Sequence, residues 1–242
     1  MFRFACCVLL MALPLLAWPE APVRVAVAAN FAGPMRQLVA DYQSRHTGAE
    51  VAVSVGSTGK LYAQIRQGAP LDLFLAADEA RPRQLEQQQR IVAGSRRTYA
   101  LGVLALWSRE PGLALGAALL NGGELTPLAL ANARTAPYGA AAEAVLATLA
   151  LPESVTLVRG ENVGQTFQFI QSGAARAGFV ALSQVREAGG SLWLPPAESY
   201  PPIRQQAVLL DDRPAARAFY DFLFSDAARQ RIEAAGYRLE TP

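Results

Sequence analysis

A short apolar run, a loop of small residues and a segment of helical spacing follow one another repeatedly along this chain, and that order leaves few folds open. Val23–Ala28 reads as a strand. Pro34–Arg45 carries apolar residues at Met35, Leu38, Val39 and Tyr42, the period of a helix. Glu50–Val55 reads as a second strand, followed by the loop Gly56-Ser57-Thr58-Gly59 and a helix over Leu61–Gln67. Leu71–Ala76 is a third strand and Glu79–Gln89 a polar helix. Strands that alternate with helices build a parallel sheet with both faces covered, so the chain is expected to be α/β.

The pattern continues after an uninterrupted apolar run, Tyr99–Trp107. Helices are expected over Leu113–Leu120, from Pro137 to about Ala150, and over Gly164–Gln171, with strands at Leu128–Ala131, Val155–Val158 and Gly178–Leu182. A short helix to Glu187 and a strand at Leu192–Leu194 precede the proline-rich segment Pro195–Pro202. Ile203–Leu210 is a strand, and helices over Pro214–Phe224 and Asp226–Ala235 finish the chain. There is no low-complexity linker and no repeat of 20–50 residues. With 242 residues, of which 52% are hydrophobic and 17% charged, there is material for two modest cores. We therefore expect two lobes, each a mainly parallel sheet flanked by helices. Tyr99–Trp107 and Ile203–Leu210 would be the strands that cross between them. Residues 22–101 and 205–242 would form a discontinuous first lobe, and 102–204 the second.

The N-terminus reads as an export signal, residues 1–21. Arg3 is followed by an uncharged run, Phe4–Ala17, of 14 residues. That is short for a membrane span and fits a secretory core. Its removal takes Arg3 and Glu20 together and leaves the net charge at +2. Both cysteines, Cys6 and Cys7, lie inside it, so the exported chain would have no disulfide and no thiolate. A net charge of +2 does not suggest nucleic acid as a partner.

The usual signs of catalysis are missing. With one histidine, His46, expected at a helix end, and no mature cysteine, neither a Cys/His pair nor a histidine-rich zinc site can be built. Asp78-Glu79 reads as the acidic opening of a helix. Gly56-Ser57-Thr58-Gly59-Lys60 looks like a phosphate loop, but the full motif needs glycine and Ser/Thr where this chain has Ser54 and Leu61. What survives is the physics of the loop. A strand ends, small residues allow close approach, and a helix starts with free N–H groups, which suits an anion. The same arrangement recurs at Val27-Ala28-Ala29-Asn30-Phe31, at Ala136-Pro137-Tyr138-Gly139 and at Glu161-Asn162-Val163-Gly164. Ligands of open α/β sheets sit outside the carboxyl ends of strands, where these loops lie.

The order VAVAANF, SVGSTGKLYAQIRQGAPLDLFLAADE, APYG, GENVGQT, SGAARAGFVALSQV and AVLLDDRPAARAFYDFL resembles the periplasmic molybdate-binding proteins of ABC importers over nearly the whole mature chain. The resemblance implies a two-lobed periplasmic binding protein that is not an enzyme and has no cofactor. It would close on molybdate or tungstate and deliver it to a membrane permease, as a monomer in the periplasm. Carried over residue by residue, it implies ligand contacts from Asn30 with Ala29 beside it, Thr58 with Ser57 beside it, Tyr138, and the main-chain N–H of Val163. Many members have serine where this chain has Asn30, and a tyrosine where it has Ala181; the chain resembles instead a subgroup with asparagine at the first place and a ligand tyrosine matching Tyr138, which would supply the phenol. A six-coordinate site with two carboxylates is not apparent, which favours tetrahedral coordination. Hydroxyls, N–H groups and an amide would then hold the metal centre through the oxygens of its anion. About six such charge-assisted bonds sum to roughly 9–18 kcal/mol gross, against an association cost of about 4–15 kcal/mol. A donor-only site also rejects protonated phosphate. Two other readings stay open here: a protein for sulfate or phosphate, and a secreted enzyme acting on a phosphorylated compound.

Overall fold

The computed structural model describes residues 21–240, so the expected signal core and both cysteines lie outside the described residues. The first half runs β1 (Val23–Ala28), a single 3-10 turn (Ala29–Phe31), α1 (Ala32–Arg45), β2 (Val51–Gly56), α2 (Thr58–Arg66), β3 (Leu73–Ala76), α3 (Ala80–Gln87) and β4 (Arg97–Gly102). The chain continues with β5 (Leu104–Ser108), α4 (Ala117–Asn121), β6 (Leu128–Ala131), α5 (Pro137–Ala147), β7 (Leu157–Gly160), α6 (Val163–Gln171), β8 (Ala177–Ala181), α7 (Leu182–Val185) and β9 (Ser191–Trp193). It ends with β10 (Ile203–Leu209), α8 (Pro214–Leu223) and α9 (Asp226–Ala234).

These strands form two five-stranded sheets, ordered β2-β1-β3-β10-β4 and β7-β6-β8-β5-β9. In the first, β10 alone runs against its neighbours; in the second, β5 alone does. The sheets are thus built alike. β1, β2 and β3 of one match β6, β7 and β8 of the other, each trio parallel. The run expected as one strand, Tyr99–Trp107, breaks at Val103, and its halves belong to different sheets. The return lies between β9 and β10, through the proline-rich segment. The two passages run side by side, because Ile203 pairs with Gly102.

Alternation of side chains sorts the first sheet into two cores. Val25, Val27, Leu73 and Leu75 pack with Phe31 of the 3-10 turn and with Met35, Leu38 and Phe219 from α1 and α8. Ala26, Phe74, Ala76 and Val208 point the other way, onto Leu61, Ile65 and Leu85 of α2 and α3. The second sheet packs around Leu106, Trp107, Leu128, Leu130, Phe179 and Val180. Strands buried on both faces read as continuous apolar runs, which is why β1, β3, β6 and β8 are plain in the sequence.

Some boundaries moved. The helix expected over Leu113–Leu120 shrinks to Ala117–Asn121. The strand expected at Val155–Val158 is found at Leu157–Gly160, where its parallel register with β6 takes in Arg159 and Gly160. His46 caps the end of α1, its Nδ1 2.9 Å from the Tyr42 carbonyl and its ring stacked on Tyr42. Asp78 opens α3 by accepting the Arg81 N–H at 3.0 Å. Among the described residues no group of His, Cys, Asp and Glu could hold a metal ion, and no helix is long and apolar enough to cross a membrane.

Candidate functional site

The four small-residue loops meet. The turn after β1 brings Ala29 and Asn30, and the start of α2 brings Ser57 and Thr58. The start of α5 brings Tyr138, and that of α6 brings Val163. All six line one narrow cavity, with about 10 Å³ of room for the centre of a water-sized sphere, together with Ala28, Gly56, Ala77, Ala136, Pro137 and Asn162. It lies at the carboxyl ends of β1 and β2 in one sheet and of β6 and β7 in the other. A space of that size admits about one water-sized sphere, far too little for a nucleotide or a peptide. No charged side chain is among these residues.

Local chemistry fixes each helix start. Ser57 is the N-cap of α2, its Oγ accepting the Lys60 N–H at 3.4 Å. Asn162 is the N-cap of α6, its Oδ1 accepting the Gln165 N–H at 3.0 Å. Pro137 takes the first position of α5, where its missing N–H costs nothing. Thr58 and Val163 are the first residues of their helices, so their N–H groups have no carbonyl one turn back and are free to donate.

The hydroxyls share one polarity. Thr58 Oγ1 accepts the Ala77 N–H at 3.0 Å, Ser57 Oγ accepts from Lys60 N, and Tyr138 Oη accepts from Gln205 Nε2 at 3.3 Å. Among the described residues no acceptor stands for the proton of any of the three. Each is thereby set up as a donor. Burial pushes the Tyr138 phenol well above its ordinary value, with smaller contributions from Tyr237, Tyr99 and Tyr200, against a lowering bond from Gln205. It stays neutral and keeps its proton.

Asn30 differs from expectation. Both hydrogens of its amide are engaged behind the cavity, Nδ2 donating to Gln205 Oε1 at 2.8 Å and to Tyr237 Oη at 3.0 Å. Its segment instead offers main-chain N–H groups at the start of the 3-10 turn. Behind Asn30 lies a buried network that sequence reasoning missed. Tyr99 Oη donates to Gln205 Oε1 at 2.9 Å, and Tyr237 Oη donates to the Asn30 carbonyl at 2.8 Å. Ser183 Oγ lies 2.9 Å from Tyr237 Oη. One signal was available: β10 reads IRQQAVL, with two amides beside apolar residues in a strand where Arg204 alone is exposed.

The loops of the two sheets touch at the cavity's rim. Gly59 N–H donates to the Thr135 carbonyl at 2.9 Å, and a Cβ at Gly59 would stand 3.0 Å from Thr135 Cα. Lys60 pairs with Glu161 across the same seam. Both side chains are more than half exposed, so the pair contributes little. The only lysine thus has a carboxylate partner and is not among the residues lining the cavity.

Comparison with known proteins decides the family. Residues 23–238 match the family described as bacterial extracellular solute-binding protein. The chain belongs to that family. Among its relatives is the molybdate-binding protein ModA of Azotobacter vinelandii, 47% identical, the match covering 91% of each chain. ModA of Rhodobacter capsulatus is 40% identical over 93% of this chain and 92% of its own. Among solved structures, a periplasmic molybdate-binding protein of Azotobacter vinelandii superimposes with a TM-score of 0.85 at 39% identity, covering 90% of this chain and all of its own. This solute-binding protein thus has the two-lobed periplasmic binding-protein architecture, and its family binds solutes rather than transforming them.

Proposed function

We propose that this chain binds molybdate, and tungstate with it, in the cavity between the two sheets and delivers it to the membrane permease of an ABC importer. One observation carries the reading: a small, uncharged cavity lined by three hydroxyls that each accept a bond from the protein, and so keep a proton to donate, and by two helix starts with free N–H groups. Such a set suits a fully deprotonated dianion. Each of its oxygens finds donors, at about 1.5–3 kcal/mol per charge-assisted bond, and no acceptor is offered to a protonated one. The names of the ModA relatives favour molybdate over other dianions. Ala29, Asn30, Ser57, Thr58, Tyr138 and Val163 are the proposed contacts. We place the export signal at residues 1–21, and the lobes at 22–101 with 205–242 and at 102–204. The exported protein works as a monomer in the periplasm.

Calorimetric titration of the exported chain tests this. Molybdate and tungstate should bind one to one, within about tenfold of each other, and at least about 100-fold tighter than sulfate or phosphate. Preference for sulfate or phosphate would overturn the assignment.

A further inference from the structure

Gln205 lies behind the cavity in β10 and is fully buried. Its amide is oriented by its neighbours, because Oε1 accepts from both Tyr99 Oη and Asn30 Nδ2. Those two donors leave Nε2 to face Tyr138 Oη, to which it donates at 3.3 Å. The contact crosses between the two halves of the molecule, since Gln205 sits in the first sheet and Tyr138 opens α5 beside the second. It is also crowded. A Cβ at Gly102, where the chain passes between sheets, would stand 2.8 Å from Gln205 Nε2 and closer still to Tyr138 Oη.

We propose that Gln205 is a specificity-determining positioning residue: by donating to Tyr138 Oη it keeps the phenol proton from turning to its side and so directs that proton toward the ligand. The inference rests on the molybdate reading above. A phenol can donate one hydrogen bond and accept others. Left without Gln205, Tyr138 could rotate its proton away and accept a hydrogen from a protonated oxyanion. With Nε2 against it, which has no lone pair to accept the proton, the proton is directed to the cavity side. Discrimination between a bare dianion and hydrogen phosphate, which carries the same charge at a suitable pH but one proton, is thereby set from outside the ligand's contact shell. Buried polar groups aimed one way reject a mismatched partner strongly, because the mismatch leaves atoms unpaired.

The test is the ratio of affinities for molybdate and inorganic phosphate, measured by competition titration at a pH where phosphate is the singly protonated dianion. Gln205→Glu places a carboxylate against the phenol, which then donates backward and turns a lone pair to the cavity. The added charge acts on both dianions alike and cancels in the ratio. The ratio should fall about tenfold or more. Gln205→Met, which removes the donor without adding charge, should lower it severalfold and serves if the glutamate variant does not fold. In a Tyr138→Phe background neither change at Gln205 should move the ratio beyond about twofold, because the group it orients is gone. A ratio unchanged in both Gln205 variants, or shifted as far without the phenol as with it, overturns the proposal. Failure of the wild-type protein to bind molybdate would instead overturn the reading on which it rests.

Discussion

Replacing Val163 with proline should weaken molybdate binding about 100-fold or more while leaving the ligand-free protein folded. Val163 is the first residue of α6, the position where proline is best tolerated, and its N–H serves no helical carbonyl. Asn162 before it is extended, with φ −153° and ψ 170°, as a residue preceding proline prefers. The Val163 carbonyl keeps its bond from Gln184 Nε2 at 3.2 Å. The substitution thus removes one donor from the cavity and puts a methylene in its place. A lost charge-assisted bond alone costs about 1.5–3 kcal/mol, and the misplaced carbon adds to it. Val163→Ala, which keeps the N–H, should bind within about tenfold of wild type. Equal affinities for the proline variant and wild type would remove Val163 from the ligand's contacts.

Replacing Asp72 with asparagine should lower stability by about 2–4 kcal/mol and remove part of its acid dependence. Asp72 is fully buried below the first sheet. It accepts the Arg24 N–H at 2.6 Å, Arg24 Nη2 at 3.3 Å and Arg213 Nη2 at 2.7 Å. Arg213 also donates to the carbonyls of Ala21 and Pro22, just ahead of β1. Burial pushes the Asp72 carboxyl up. The bond from Arg213, those from the Arg24 main chain and side chain, and the Arg213 charge together outweigh it and leave the group below its usual value. A group depressed on folding contributes stability that is fully present above its unfolded pKa of about 3.9 and fades as pH falls through the folded value. The loss therefore falls below about pH 4. At roughly 2–4 °C per kcal/mol for a chain of this size, Asp72→Asn should melt about 4–16 °C lower near neutrality. Between pH 5 and 3 it should lose less stability than wild type. Parallel pH profiles for the two proteins would contradict this role.

What could be read from the sequence divides along a physical line. The buried parallel strands β1, β3, β6 and β8 announce themselves as short apolar runs. Thr58, Tyr138 and Val163 announce themselves by standing where a strand gives way to a helix. Those are local signals. The orientation of the Asn30 amide is not local: its partners Gln205 and Tyr237 are 175 and 207 residues away. The break at Val103 is likewise hidden in an apolar run, because nothing in the run itself says that its two halves pair in different sheets. Register likewise moved β7 two residues toward Gly160, against the apolar pattern. The expected amide donor followed from resemblance, and the structure shows how the surrounding network redirects it.

We propose that one tetrahedral anion sits where the four loops converge, held only by donors. Anomalous diffraction from crystals grown with molybdate tests it most directly. The account predicts a single strong molybdenum peak in the cavity between Thr58, Tyr138 and Val163, with four oxygens around it and no protein atom bonded to the metal. A principal peak elsewhere, or a molybdenum coordinated directly by protein oxygens, would contradict it.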